Sequence, residues 1–115
     1  DVTRSLATGM AHTNARLGGS ICDAIVTPTP RALTFPIMPR LCGAGTVVPA
    51  EDCLPALSAA SARFKIVLEP GGAIGLAAAL YHGDQVSGKD VICIASGGNV
   101  DAEMFARALA EYPCT

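Results

Sequence analysis

The 115-residue chain is 50% hydrophobic and 16% charged, which is enough apolar material for the packed core of one domain. A net charge of −2 and an aromatic content of 4% argue against the basic, aromatic surface of a protein that binds nucleic acid. The longest nearly apolar stretch, residues 71–81, is about half of the roughly 20 residues that a membrane-spanning helix needs, so we expect no membrane partner.

The five cysteines show neither a Cys-x-x-Cys pair nor a histidine at ligand spacing, so they predict no metal site and no disulfide framework. Free cysteine behaves as a small buried apolar residue in a reducing compartment. We therefore expect structural thiols in a cytoplasmic protein. The cysteines are Cys22, Cys42, Cys53, Cys93 and Cys114.

The first third of the chain predicts one helix followed by an irregular segment. Helical spacing of apolar residues predicts a helix over residues 3–17, although Gly9 weakens it. Residues 18–40 contain four prolines and a Gly-Gly pair, so regular structure is expected only in short pieces such as residues 24–26 and 33–35.

From residue 46 onward, predicted strands and helices alternate, which is typical of the α/β class. Short apolar runs predict strands at residues 46–48, 66–68 and 91–95. Helical periodicity predicts helices at residues 51–64 and 101–112, and an apolar run predicts another at residues 71–81. The helix predicted at 71–81 is apolar on every face and must be buried. We expect a partial parallel sheet with helices on both faces, because so few strands cannot cover these helices alone.

The last predicted strand runs directly into a Ser-Gly-Gly turn, within VICIASGGNVD at residues 91–101. Ligands of open α/β sheets bind beyond the carboxyl ends of the strands, where loops lead into helices. Glycines let a ligand approach the main chain, and the following helix directs its first amides toward the site. An aromatic ring or a phosphate would fit there, but a tight bend without a ligand would require the same glycines.

Two stretches, RFKIVLEPGGAIGLAAAL at 63–80 and GKDVICIASGGNVD at 88–101, resemble the carboxyl-terminal part of fold-type II pyridoxal-phosphate enzymes. The branch that they resemble is the threonine dehydratase and serine racemase family. SICDA at 20–24 is similar to the Ser-Ile-Ala-Asp-Gly stretch of that family, and LTFPI at 33–37 to its Thr-Phe/Trp-Pro-Ile. The resemblance covers the chain from about residue 19.

The resemblance implies that the Ser-Gly-Gly turn binds pyridoxal phosphate. Ser96 would hydrogen-bond the pyridine nitrogen, and a neutral hydroxyl does not force that nitrogen to protonate, so the ring is a moderate electron sink suited to β-elimination. Gly97 and Gly98 would let the turn lie against the ring edge. Glu69 would either lie in the second layer of this pocket or stabilise the amino end of the helix at 71–81.

Two features of the family have no counterpart in these residues. One is the early lysine that holds the cofactor, and the other is the Gly-rich loop that binds its phosphate. Lys65 and Lys89 are both expected to be solvated surface charges. Position 22 is Cys where the family usually has Ala. Residues 1–115 therefore predict the carboxyl-terminal portion of the large cofactor-binding domain, incomplete by itself and without catalytic residues or metal ligands.

The resemblance implies that the parent protein is a pyridoxal-phosphate-dependent ammonia-lyase that converts L-threonine or L-serine to a 2-oxo acid and ammonia. Its partners would be a small amino acid substrate and further copies of the same enzyme, and the isolated chain would be inactive. Two alternatives stay open. The chain could belong to a serine racemase-type enzyme, or it could be a non-catalytic α/β binding or assembly module.

Overall fold

The computed structural model describes residues 1–114, apart from the side chain of Gln85. The helices in this part of the chain are α1 (Val2–Thr8), α2 (Met38–Leu41), α3 (Cys53–Phe64), α4 (Pro70–Tyr81) and α5 (Ala102–Glu111). Short 3₁₀ turns lie at Asp23–Ile25, Ala50–Asp52 and Gly83–Val86. The chain forms two compact units, the first from residues 1–19 and 25–47, the second from residues 20–24 and from residue 48 onward.

The first unit begins with α1, which is much shorter than the helix predicted over residues 3–17. It ends at Gly9, whose φ of 72° is left-handed and whose N–H donates to the carbonyl of Ser5. The buried Ser5 hydroxyl then accepts a hydrogen bond from the His12 N–H at 2.8 Å, which turns the chain back over the helix. The prediction was wrong beyond residue 8 because this glycine terminates the helix.

The second unit has a core built around α3. Small side chains on three helices let the helix backbones approach closely, and few large apolar residues are needed to fill the space between them. The buried apolar residues are Cys22, Cys53, Leu54, Ala56, Leu57, Ala60, Leu68, Ala73, Ala77 and Ala108. Helices α3, α4 and α5 confirm the three helices predicted in this part of the chain to within two residues at each end.

Helix α4 is buried at its start and half-exposed at its end. Pro70 occupies the first position, where a missing N–H costs nothing, and Pro70, Gly71, Gly72 and Ala73 are all buried. By contrast, Leu80 and Tyr81 are 51% and 47% exposed. The expectation of a helix buried on every side therefore holds only for its first half.

The predicted strands do not form among residues 1–114, which contain no strand. A strand exists only where its main chain pairs with a neighbour, and the hydrogen bond from the Glu69 N–H to the Gly97 carbonyl lies just beyond the segments at 66–68 and 91–95. Ile92 and Ile94 are 90% and 73% exposed. The segment therefore has the apolar pattern of a buried strand, but none of the described residues packs over these two side chains. The partial sheet is therefore not confirmed.

A hydrogen bond from α3 holds the end of α5. The buried Ser58 hydroxyl donates to the Tyr112 carbonyl at 2.6 Å. We predict that Ser58→Ala lowers the free energy of unfolding of the chain by about 1 to 2 kcal/mol, because that carbonyl loses its partner. Urea unfolding followed by circular dichroism measures the change. The matched control is Ser61→Ala on the same helix, since the Ser61 hydroxyl makes no hydrogen bond within residues 1–114. An equal loss in both variants would contradict the prediction.

Two cysteine thiols meet inside this core. The Sγ atoms of Cys22 and Cys53 lie 3.5 Å apart, and Cys53 is fully buried. Burial, chiefly, raises the pKa of Cys53 from 9.0 to about 12, with smaller contributions from Cys22, Asp52 and Glu51. At neutral pH this thiol is therefore protonated.

The raised pKa predicts a loss of stability in alkaline solution. Between pH 9 and about 12 the unfolded chain releases the Cys53 proton while the folded chain keeps it, so the free energy of unfolding falls as the pH rises. The slope attributable to this group is at most about 1.4 kcal/mol per pH unit. Urea unfolding at several alkaline pH values measures this. The free energy of unfolding should fall less steeply with pH in Cys53→Ala than in the unaltered chain. Cys114→Ala, a control that removes an exposed thiol, should behave like the unaltered chain. Parallel declines in all three would show that the Cys53 pKa is not raised.

Candidate cofactor site

The Ser96–Gly98 turn packs directly against the start of α4. The Glu69 N–H donates to the Gly97 carbonyl at 3.0 Å, and Glu69 is the residue that precedes the first turn of α4. Its carboxylate makes no capping hydrogen bond with that helix. The structure therefore brings together the predicted site residues Glu69 and Gly97, and the main chain of Glu69 fixes the position of the turn.

Glycine is required at the contact between this turn and α4. A Cβ atom added at Gly72 would lie 2.7 Å from the Gly97 nitrogen and closer still to the Gly97 carbonyl oxygen, both of them backbone atoms. A Cβ at Gly97 would lie 2.8 Å from the carboxyl carbon of Glu69, and one at Gly98 would lie 2.7 Å from the Val67 carbonyl oxygen. At Gly72 and Gly98 the added Cβ would meet backbone atoms, so these two positions have no room for a side chain, whereas at Gly97 it would meet the end of the flexible Glu69 side chain.

Ser96 stands at the exposed end of this turn. Its side chain is exposed, and within residues 1–114 its hydroxyl has no hydrogen-bond partner. The neighbouring backbone is held by the hydrogen bond from the Glu69 N–H to the Gly97 carbonyl, and α5 begins a few residues later, after Asp101. The arrangement presents a hydroxyl that can donate or accept one hydrogen bond, on a backbone that packing holds in place.

The two lysines lie away from helix interiors, as predicted for surface charges. Lys65 is exposed, and its Nζ donates to the Ala62 carbonyl at 2.7 Å at the end of α3. Lys89 is exposed in the loop after the turn at Gly83–Val86. Within residues 1–114, no group of three or more His, Cys, Asp or Glu side chains is placed to hold a metal ion. None of the described helices has the length and hydropathy that crossing a bilayer requires.

Gly72 was not predicted from the sequence to be part of this site. Its role depends on how closely α4 approaches the turn, and the separation of 25 residues between Gly72 and Gly97 gives no local signal. The one indication was compositional. Two consecutive glycines directly after Pro70, in the first turn of a helix, disfavour helix formation unless close packing requires them.

Sequence comparison relates the chain to known enzymes. Residues 1–97 match the family described as pyridoxal-phosphate dependent enzyme. The chain is 35% identical over 113 residues to a serine racemase from Dictyostelium discoideum, covering 95% of this chain and 34% of that protein. It is 33% identical over 90 residues to an L-threonine ammonia-lyase from Thermotoga maritima, covering 78% of this chain and 22% of that protein. The chain thus spans about a third or less of the length of these relatives.

Solved structures give the same relationship. The crystal structure of a T.th. threonine deaminase matches 88% of this chain and 34% of its own, with a TM-score of 0.81 and 33% identity. A maize serine racemase matches 97% of this chain and 36% of its own, with a TM-score of 0.79 and 30% identity. These likenesses support the predicted α/β class. By sequence and by structure, the chain belongs to the family of pyridoxal-phosphate dependent enzymes.

Proposed function

We propose that these residues are the carboxyl-terminal portion of the large domain of a pyridoxal-phosphate-dependent ammonia-lyase, and that the Ser96–Gly98 turn binds the pyridine ring. The observation that carries the proposal is the exposed Ser96 hydroxyl on a turn held against α4 by the Gly72–Gly97 contact. The relatives named L-threonine ammonia-lyase and threonine deaminase support a lyase acting on a hydroxy amino acid.

The residues present fit one end of the cofactor. A pyridine nitrogen needs a single hydrogen-bonding group at its edge, and Ser96 offers one that no other described residue uses. The flat ring needs backbone without side chains beside it, and Gly97 and Gly98 carry none, although their Cβ positions face Glu69 and Val67. Lys65 is engaged with the end of α3, so the lysine and the phosphate loop that the family uses are proposed to lie in another part of the parent protein.

When bound, pyridoxal phosphate supplies an electron sink for the charge that develops at the substrate α-carbon once its proton is removed. Ser96 is a neutral partner for the ring nitrogen, so it orients the ring without stabilising a protonated nitrogen as a carboxylate would. The contact between Glu69 and Gly97 holds the turn in place, and Glu69 acts as a positioning residue. A moderate sink favours expulsion of the β-hydroxyl over a long-lived charge at the α-carbon.

The partial parallel sheet is proposed to be completed by other segments of the parent protein. Two observations support this. Ile92 and Ile94 are strongly exposed, and a neighbouring strand would cover them. An apolar groove of about 300 Å³ adjoins them. The groove is lined in part by Ile66, Leu68, Leu76, Val91 and Cys93. The five free cysteines support a cytoplasmic location, where thiols stay reduced. We also propose that the parent protein assembles into a homo-oligomer.

A serine racemase is the second candidate, because the Dictyostelium relative carries that name. Racemisation and elimination both begin with removal of the α-proton. They differ in the next step, because a racemase returns a proton to the α-carbon and a lyase expels the β-hydroxyl. The groups that return the proton are proposed to lie outside these residues. Assaying the full-length protein with L-serine distinguishes the two, since a lyase yields a 2-oxo acid and ammonia and a racemase yields D-serine.

The test of cofactor binding compares two proteins. Pyridoxal phosphate is added to the full-length protein that contains this chain and to the 115-residue chain, followed by dialysis and visible absorption spectroscopy. We expect a band that survives dialysis only in the full-length protein. No retained band in either protein would overturn the proposal and would favour a non-catalytic binding or assembly module.

A further inference from the structure

The contact between Cys22 and Cys53 joins two parts of the chain that are distant in sequence. The residues are 31 positions apart, and their Sγ atoms lie at 3.5 Å, with Cys22 4% and Cys53 0% exposed. Cys22 belongs to the short loop at residues 20–24, whereas Cys53 is the first residue of α3. Among residues 1–114 this pair is the one sulfur–sulfur contact, and the remaining three thiols are separate from it.

The two cysteines differ in how the chain around them is held. Cys53 is fixed in the first turn of α3 and surrounded by buried apolar residues. The Cys22 N–H is held by a single hydrogen bond to the Ser20 hydroxyl at 3.1 Å, and the next residues, Asp23 and Ala24, are exposed. An opening of this short loop would therefore bring Cys22 to solvent without unfolding α3.

We propose that Cys22 and Cys53 form a reversible disulfide bond when the protein meets a small disulfide such as oxidised glutathione. The sulfurs must approach from 3.5 Å to about 2.05 Å, a movement that the loop at 20–24 can absorb. The bond would tie that loop to the amino end of α3. None of the proposed cofactor-binding residues takes part in it.

The exchange takes place in two steps. The Cys22 thiol gives up its proton, and its sulfur attacks one sulfur of oxidised glutathione, whose disulfide bond breaks and releases one glutathione, which takes up a proton. Cys53 then gives up its proton, a step that its raised pKa makes slow at neutral pH and faster as the pH rises, and its sulfur attacks the Cys22 sulfur, which releases the second glutathione. The two protein thiols lose two electrons and two protons, and oxidised glutathione is reduced to two molecules of glutathione.

Peptide mapping tests the bond directly. The folded full-length protein that contains this chain is incubated with oxidised glutathione, its remaining thiols are blocked with N-ethylmaleimide, and it is digested with trypsin and a protease that cleaves after Glu51, which separates Cys42 from Cys53. We expect a linked peptide pair containing Cys22 and Cys53 that disappears after reduction. The same pair should form in Cys42→Ala, which lacks an exposed thiol. Glutathione attached only to Cys42 and Cys114, with Cys22 and Cys53 unlinked, would overturn the proposal.

Thermal unfolding adds a second readout. Closing a loop between residues 22 and 53 restricts the unfolded chain, so the oxidised chain should unfold at least about 5 °C higher than the reduced chain, and Cys22→Ala should show no such difference. A linked peptide that forms only in urea, with none formed by the folded chain, would also overturn the proposal, since it would show that the folded geometry does not favour the bond.

Discussion

Replacing Gly72 with alanine is expected to lower the free energy of unfolding by about 2 to 3 kcal/mol and to displace the Ser96–Gly98 turn. The new methyl group would lie 2.7 Å from the Gly97 nitrogen and nearer to its carbonyl oxygen. Because both are backbone atoms, no side-chain rotation relieves the collision, and either α4 or the turn must move. In the full-length protein the same substitution should weaken binding of pyridoxal phosphate. Urea unfolding measures the first effect, and a cofactor titration measures the second.

Gly75 provides a matched control on the same helix. A Cβ at Gly75 would lie 3.7 Å from the Ile94 carbonyl oxygen, which is ordinary contact. Alanine in a helix interior is favoured over glycine by about 1 kcal/mol, so Gly75→Ala should leave stability unchanged or raise it slightly. The two variants have the same change of composition and differ in what the methyl group meets. A Gly72→Ala chain as stable as Gly75→Ala would show that the turn does not lie against α4.

Replacing Ser96 with alanine in the full-length protein is expected to weaken binding of pyridoxal phosphate by about tenfold and to leave folding unaffected. The tenfold loss corresponds to about 1.4 kcal/mol, which is the contribution of one hydrogen bond. Folding should be unaffected because the Ser96 side chain is exposed and its hydroxyl has no partner within residues 1–114. Equilibrium dialysis gives the affinity, and thermal unfolding without cofactor gives the stability.

Two further variants separate a hydrogen bond from other effects of altering the turn. Ser96→Asp should favour a protonated ring nitrogen and so change the visible spectrum of the bound cofactor, which a purely structural role would not do. Ser87→Ala, at an exposed serine that follows the 3₁₀ turn at Gly83–Val86, should change neither affinity nor spectrum. Unchanged affinity in Ser96→Ala would mean that this hydroxyl does not contact the cofactor.

Local sequence signals predicted the helices well where they agreed with packing. Helices α3 and α5 were expected from apolar spacing and α4 from a continuous apolar run, and the structure confirms them. The length of α1 was overestimated, because apolar residues continue at helical spacing beyond Gly9, where the helix has already ended. Local pattern alone was not sufficient to predict whether the strands form. A strand depends on partners, and the described residues do not supply them.

The candidate site could be predicted from sequence only at the level of its motif. The motif identified Ser96, Gly97, Gly98 and Glu69, and the structure places the Glu69 main chain against Gly97. The contact of Gly72 with the turn was missed because it depends on the packing of α4.

Two contacts elsewhere in the second unit were missed for the same reason. The Cys22–Cys53 contact joins residues that are 31 positions apart and share no motif. A side-chain hydrogen bond between Asp52 and His82, with 2.7 Å between Oδ2 and Nε2, joins the start of α3 to the end of α4. Neither distance can be read from local spacing.

In the proposed site, Ser96 meets the pyridine nitrogen of pyridoxal phosphate. A crystal structure of the full-length protein with the bound cofactor would show this contact. We predict that the Ser96 Oγ atom lies within about 3.2 Å of that nitrogen, with Gly97 and Gly98 beside the ring. A ring nitrogen that instead contacts a carboxylate, with the Ser96 hydroxyl directed away from the cofactor, would contradict the proposed function of this turn.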